Sequence, residues 1–151
     1  RGSPAPRRDF AVFLANQGRT REALPFLQEA GGLAPRDAEV PYLAALAHAE
    51  LGDQQKAEEC LRQAVKIDPQ FGRAHYNLGL LLNSSGRMQE AIASLRQAAA
   101  ANRSDADAPY AEATIHLRMG NIEAAETAAH EALSRNPNHQ PTQQLLRQIG
   151  R

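Results

Sequence analysis

The stretch HYNLGLLLNSSGRMQEAIASLRQAAAANRSD, residues 75–105, decides the fold of this chain of 151 residues. Its apolar residues recur at helical spacing on both sides of Gly86, which predicts two helices joined by a tight turn. Gly18, Gly52, Gly86 and Gly120 follow one another at one constant interval. A fixed interval of about 34 residues is typical of repeat proteins, so we interpret the chain as successive copies of one helical hairpin, one for each glycine.

Other positions repeat at the same spacing and carry small or apolar side chains. The columns are Ala23, Ala57, Ala91 and Ala125; Ala30, Ala64, Ala98 and Ala132; Leu27, Leu61, Leu95 and Ala129; and Ala11, Ala45, Gly79 and Ala113. We interpret the small columns as places where two helices cross closely, because a larger side chain would hold the backbones apart. The leucine column then fills the space between hairpins.

The second repeat, residues 38–71, shows why each helix ends where it does. Gly52-Asp53 ends the first helix, because glycine takes the left-handed conformation that a helix C-cap needs. A second helix is predicted over about Gln54 to Ile67. Asp68-Pro69 stops it, since the residue before proline is pushed out of the helical region.

The first repeat, residues 4–37, is the weakest copy. Pro25 lies early in its second helix and removes a backbone donor. Gly31-Gly32 lies near the end of that helix, where we expect it to fray the last turn. Arg1-Gly2-Ser3 precedes the repeat, and we set it aside as residues left by a cloning vector.

The third repeat follows a recognisable succession of residues: Leu78-Gly79, Leu82, Gly86, Ala91, Leu95 and Ala98. In this it resembles the tetratricopeptide repeat family, although His75 and Arg103 stand where that family favours Trp and Pro. The resemblance implies an all-α, right-handed superhelical solenoid of antiparallel helix hairpins. It predicts one domain over residues 4–151, with repeats at 4–37, 38–71, 72–105 and 106–139 and a capping helix at about 141–149.

Composition argues against several classes of partner. Lys plus Arg and Asp plus Glu both number 17, so we expect no nucleic-acid partner. No apolar run approaches the roughly 20 residues of a membrane helix, so we expect no direct membrane insertion. We expect a soluble protein and leave cytoplasm and periplasm open; the Ala-, Arg- and Gln-rich composition looks bacterial.

The resemblance also implies a function. In the family the first helices of the hairpins line a concave groove that binds peptides or partner segments. The residues that we expect in this groove are Arg8, Val12, Tyr42, Leu46, Arg73, Tyr76, Asn77, Leu80, Asn83, Tyr110, Thr114 and Leu117. Their charges are mixed, so they indicate neither an acidic nor a basic ligand.

The three tyrosines of the chain, Tyr42, Tyr76 and Tyr110, occupy the same position in three consecutive repeats. A row of phenol groups offers contact area and hydrogen bonds at low entropic cost, which suits the binding of an extended segment or a helix. Tyrosine at this position also packs against the next hairpin in many repeats of the family. Both interpretations stay open at the level of sequence.

Two specialised family sites do not fit. The clamp that binds chaperone C-terminal carboxylates maps onto Arg8, Val12, Leu43, Arg73 and Asn77, where both required asparagines are replaced. The asparagine ladder of nucleocytoplasmic sugar transferases is also missing, because its column reads Asp9, Leu43, Asn77 and Ala111.

Catalysis, cofactor binding and metal binding are poorly supported. We find no HExxH, CxxC, phosphate loop or GxSxG sequence. Cys60 reads as a small packed side chain rather than a nucleophile. His48 and His116 occupy equivalent first helices two repeats apart, and we expect them to pack or to contact the groove.

We therefore predict a non-catalytic scaffold that binds a protein or peptide. One alternative is a structural array that self-associates weakly through its first repeat or its capping helix. Another is the adaptor part of a larger protein, which could be an enzyme.

Overall fold

A computed structural model describes residues 4–150. Helices make up most of this range: α1 Pro4–Asn16, α2 Thr20–Leu33, α3 Glu39–Glu50, α4 Gln54–Ile67, α5 Gly72–Ser84, α6 Met88–Ala101, α7 Asp107–Arg118, α8 Ile122–Arg135 and α9 Gln140–Ile149. No β-strand occurs between residues 4 and 150, so the all-α prediction is confirmed. Arg1-Gly2-Ser3 lies outside the described residues.

Packing divides the chain into two compact units. Unit 1 ends at Ala74 and unit 2 begins at His75, so the boundary falls inside α5. Unit 1 holds α1 to α4, and unit 2 holds most of α5 and all of α6 to α9. The repeat boundaries and the single domain inferred from the sequence stay predictions.

The four hairpin turns are built in the same way. Gly18, Gly52, Gly86 and Gly120 have φ between 75° and 84°, in the left-handed region. After α3, the Gly52 amide donates to the Ala49 carbonyl at 3.1 Å, and the next amide donates to the His48 carbonyl at 2.8 Å. The same two bonds recur in the other turns and satisfy the last carbonyls of the helix. The glycine column is therefore a requirement of the backbone, as predicted.

The core of unit 1 uses the small and leucine columns. Leu43 and Ala44 of α3 pack against buried residues of the first hairpin: Ala11, Leu14, Ala23 and Leu27. These apolar contacts join α3 to the first hairpin, and a hydrogen bond of 2.7 Å from Thr20 to Glu50 lies beside them. We call this packed surface between α3 and the first hairpin the apolar seam.

Helix α2 runs unbroken from Thr20 to Leu33, so the expectation that Gly31-Gly32 would fray its end was wrong. A Cβ built on Gly31 would lie 3.5 Å from Cγ1 of Val40, a buried residue of α3. Val40 therefore packs directly over this glycine. That contact holds the last turn of α2 against the next helix.

In unit 2 helices α5 and α6 cross closely at Gly79. A Cβ built there would lie 2.7 Å from Cγ of the fully buried Leu95. Real Cβ atoms do not approach a carbon this closely, so a larger residue would force α5 and α6 apart. The small column thus acts as the sequence indicated.

Helix α9 covers the outer side of the fourth hairpin. Its apolar residues Leu145, Leu146 and Ile149 pack on a cluster that includes Ala113, Ala128 and Ala129. That α9 is the capping helix of the array stays a prediction.

Candidate functional site

The first helices of unit 1 border an apolar pocket. The pocket holds about 230 Å³ and lies between α1 and α3. Val12 and Leu46 line it, as do Leu43 and Ala47, and Glu50 stands among the few polar lining residues. Leu46 is 41% exposed, so an apolar side chain from outside could reach it.

The cations predicted for the groove of unit 1 are engaged in ion pairs. Arg8 Nη1 donates to Asp37 Oδ2 at 2.9 Å. Arg73 Nη2 donates to Glu39 Oε2 at 3.0 Å, and its guanidinium lies 5.0 Å from the centre of the Tyr42 ring. Both guanidiniums are therefore already paired with carboxylates of the chain.

Each tyrosine ring packs inside its own unit. Tyr42 is buried, with its ring centre 4.9 Å from that of Phe71. Tyr76 is half-buried against Ala98, Ala99 and Ala108. This burial, with Asp107 and Asp105 nearby, raises the pKa of the Tyr76 phenol.

Tyr110 packs partly against the α9 cluster and lies 5.4 Å, centre to centre, from the His139 ring. The tyrosines thus hold neighbouring elements together, as the packing interpretation described. Their additional role in a groove stays a prediction.

The remaining predicted residues of unit 2 differ in their exposure and in whether their polar groups are already hydrogen-bonded. Leu80 of α5 is 39% exposed. Asn77 is half-buried, and Asn83 accepts a hydrogen bond from Arg118 Nη1 at 2.8 Å. Thr114 donates to the Ala111 carbonyl of its own helix, and Leu117 packs partly under α9. Leu80 is therefore the most accessible apolar member of the predicted set in this unit.

A second groove in unit 2 was missed by the sequence reasoning. It holds about 840 Å³ between α6 and α8, with α7 beneath. Alanines form much of its walls: Ala99, Ala100, Ala124 and Ala128. We call it the α6–α8 groove.

Glu112 and His116 of α7 lie at the floor of this groove and are buried. Arg96 Nε donates to Glu112 Oε1 at 2.8 Å, and His116 Nε2 lies 3.3 Å from the same oxygen. Because a carboxylate can only accept, the proton of this second bond resides on Nε2. His116 Nδ1 is buried without a partner among the described residues.

Arg135 fixes one wall of the α6–α8 groove. Its Nη1 donates to the carbonyls of Ala99, Asn102 and Asp105, and its Nη2 donates to Glu131 at 2.7 Å. These bonds tie α8 to the end of α6. Arg135 is therefore structural rather than available to a ligand.

A signal for this groove was present in the sequence. At the repeat spacing, the column of Glu112 reads Phe10, Ala44 and Leu78 in the other hairpins. A carboxylate in a column that is otherwise apolar marks one hairpin as different.

Two observations on the described residues concern metal binding and the single thiol. Among them no three His, Cys, Asp or Glu side chains come close enough to hold a metal ion. Burial, with smaller contributions from Glu59 and Asp53, raises the pKa of the Cys60 thiol, which lowers its thiolate fraction. Within residues 4–150 no helix is long and apolar enough to cross a membrane.

Comparison with families of known proteins finds two matching models, both described as tetratricopeptide repeat. One matches residues 9–70 and 42–107, and the other matches residues 82–149. Together they cover nearly all the helices described above.

Curated relatives match over shorter stretches. The chain is 48% identical over 48 residues to small glutamine-rich tetratricopeptide repeat-containing protein 2 of Mycosarcoma maydis, which is 32% of this chain and 14% of that protein. It is 27% identical over 99 residues to tetratricopeptide repeat protein 8 of Homo sapiens, which is 66% of this chain and 18% of that protein. The chain therefore corresponds to a small part of these relatives.

Solved structures match over most of the chain. A crystal structure of MamA gives a TM-score of 0.83 at 19% identity and covers 89% of this chain and 78% of that one. MamA 41-end from Desulfovibrio magneticus RS-1 gives 0.83 at 25% identity, with coverage of 97% and 82%. A chain of the APC/C hetero-tetramer Cut9-Hcn1 gives 0.80 at 21% identity, with coverage of 98% and 30%. These likenesses show the fold.

Proposed function

Because the chain belongs to the tetratricopeptide repeat family, a family of protein–protein interaction scaffolds, we propose that it binds a peptide or partner helix on the surface of its first helices. The partner contributes apolar side chains that insert beside the exposed leucines of these helices. The chain takes part in assembly rather than in catalysis. Its balanced charge favours a protein partner over a nucleic acid.

The apolar pocket beside Leu46 carries this proposal. An exposed leucine alone is ordinary on a protein surface. Here the leucine borders a preformed apolar pocket of about 230 Å³, which is suited to a single inserted side chain. An apolar anchor in such a pocket is a common hot spot of peptide recognition.

Leu80 supplies a second, separate contact in unit 2. It is about as exposed as Leu46, and it also lies on a first helix. Asn83 and Arg118 of the same unit already bond to each other and offer polar groups near the ends of α5 and α7. The leucines therefore replace the tyrosines as the residues to test first, because truncating a packed tyrosine would also disturb the fold.

The test is a selection from a phage-displayed library of random peptides against the whole protein. We expect the selected peptides to carry an apolar anchor and to bind the Leu46→Ser variant at least tenfold more weakly. Losing one buried anchor costs on the order of 2 kcal/mol, and a tenfold loss of affinity corresponds to about 1.4 kcal/mol. Leu80→Ser measures the contribution of unit 2 in the same way.

Leu33→Ser is the matched control. Leu33 is 49% exposed but lies at the end of α2, a second helix. Circular dichroism of all three variants checks that helicity is unchanged. Selected peptides that bind Leu46→Ser and Leu80→Ser as tightly as the wild type would show that the first-helix surface is not the site.

Self-association is the second candidate, favoured by two exposed phenylalanines of α1. Phe10 and Phe13 stack on each other and are largely exposed. One repeat later the same positions are Ala44, which packs at the apolar seam, and Ala47, which is buried. The outer face of the first hairpin therefore has the apolar character of a surface that receives another hairpin.

Light scattering tests this second candidate. We expect the mass to rise with protein concentration and Phe13→Ser to keep the protein monomeric. A monomeric wild type at every concentration up to the solubility limit would refute self-association without bearing on peptide binding.

A further inference from the structure

We propose that the α6–α8 groove of unit 2 binds an arginine side chain of a partner polypeptide, with Glu112 as its anchor. This site is distinct from the first-helix surface proposed above.

The floor offers hydrogen-bond acceptors. Glu112 uses Oε1 for both Arg96 and His116, which leaves Oε2 without a partner among the described residues. Beside it, His116 Nδ1 is buried and has no partner among the described residues. A ligand for this floor must therefore donate hydrogen bonds, and a guanidinium carries five donors and no acceptor.

Arg96 already shows how the carboxylate receives a guanidinium. Its Nε lies 2.8 Å from Glu112 Oε1, while 64% of its side chain remains exposed. An exposed arginine holds its partner weakly and can turn towards solvent at little cost. A partner's arginine can therefore share the carboxylate with Arg96 or displace it.

The walls leave room for a polypeptide. The groove of about 840 Å³ is flanked by alanines of both α6 and α8, and the two arginines that line it, Arg96 and Arg135, are bonded within the chain. Arg135 holds the walls in place through three backbone carbonyls. The groove is thus preformed, which lowers the entropic cost of binding.

The charges that line the groove favour a cation. Its guanidiniums, Arg96 and Arg135, are both bonded within the chain. Glu123 also lines the groove, and its carboxylate has no partner among the described residues. The uncompensated charge is therefore negative, which attracts a basic segment and disfavours an acidic one.

The competing explanation is that Arg96 and Glu112 form an internal ion pair with no ligand. The two explanations differ in what the carboxylate does when an external arginine is offered. They also differ in what happens when Arg96 is removed.

The experiment is an NMR titration of the ¹⁵N-labelled protein with an alanine-based helical peptide that carries one arginine. The matched peptide carries citrulline, which keeps the shape and lacks the charge. We expect the arginine peptide to shift the amides of Glu112, Ala124 and Ala128 and to bind roughly tenfold or more tightly than the citrulline peptide, the range for one charged hydrogen bond. Equal binding of the two peptides, or shifts confined to other helices, would overturn the proposal.

Two variants separate the site from an internal ion pair. Arg96→Met removes the competitor, and we expect the arginine peptide to bind roughly two- to fivefold more tightly. Glu112→Leu places in α7 the residue that α5 has at the equivalent Leu78, so the fold should persist while binding is lost. Unchanged affinity in Glu112→Leu, with helicity preserved, would refute the anchor. Neither result depends on whether Leu46 or Leu80 binds a peptide.

Discussion

Two hairpin contacts of this protein use the same repeat position in opposite ways. At the apolar seam of unit 1, Ala44 of α3 packs against the buried cluster of the first hairpin that holds Leu14 and Leu27. In unit 2 the equivalent residue of α7 is Glu112, which is buried beside Arg96 and faces an open groove. One position therefore serves packing in one unit and a polar site in the other.

The difference shows how a repeat fold can carry a site without losing its core. Each hairpin of such an array contacts only its neighbours, so a polar residue in one hairpin leaves the others unaffected. The small and leucine columns keep the helices together in both units. The position of Ala44 and Glu112 is thus free to differ because other columns provide the core.

Moving the carboxylate into unit 1 should give the largest effect. Ala44→Glu places a charge in the apolar seam, where the residue equivalent to Arg96 is Gln28. We expect the free energy of unfolding to fall by about 2–3 kcal/mol, because a half-buried carboxylate would lack a partner. Urea denaturation followed by circular dichroism measures the change.

Adding the missing cation tests whether the unpaired carboxylate causes that loss of stability. The double variant Ala44→Glu, Gln28→Arg should recover part of the loss, since it recreates the pair found in unit 2. Ala49→Glu, at an exposed position of the same helix, serves as the control and should change stability by less than about 0.5 kcal/mol. A loss in Ala49→Glu as large as in Ala44→Glu would mean that the seam is not specifically intolerant of charge.

The turns should respond alike in the two units. Gly52→Ala in unit 1 and Gly120→Ala in unit 2 each place a Cβ at positive φ, with no other atom within 4 Å. The cost is therefore that of the backbone alone, about 1 kcal/mol in each case. Thermal unfolding of both variants checks that the two losses of stability are equal. A clear difference between them would show that the units differ in more than the position of Ala44 and Glu112.

The sequence predicted the fold because its strongest signals are local. A glycine at positive φ and an alanine at a helix crossing each allow few alternatives, so Gly52 and Ala45 could be assigned from spacing alone. The helical conformation of Gly31-Gly32 was not predictable in the same way. It depends on Val40 of the next helix packing over the pair, which is a tertiary contact.

The site was less accessible to sequence reasoning. Spacing placed Leu46 and Leu80 on first helices, but it could not show that the Tyr42 ring turns into the core of its unit. The α6–α8 groove arises from small side chains on two different helices, and its volume is a property of their packing. Only Glu112, the one polar residue in its column, indicates the groove at the level of sequence.

The smallest expected effects concern the polar pair itself. Arg96→Met removes the cation of Glu112, but Arg96 is largely exposed, solvent screens the pair and His116 stays beside the carboxylate, so we expect a loss of at most about 1 kcal/mol. Glu112→Leu removes the buried charge together with its need for a partner, and we expect a change near zero or a slight gain in the free energy of unfolding.

Urea denaturation of both variants gives the comparison. If Glu112→Leu proved the more damaging change, the carboxylate would be a structural element, and Ala44 and Glu112 would differ only in how they pack. If it proves harmless, stability does not account for a glutamate in an apolar column, and the groove that the glutamate faces becomes the better explanation.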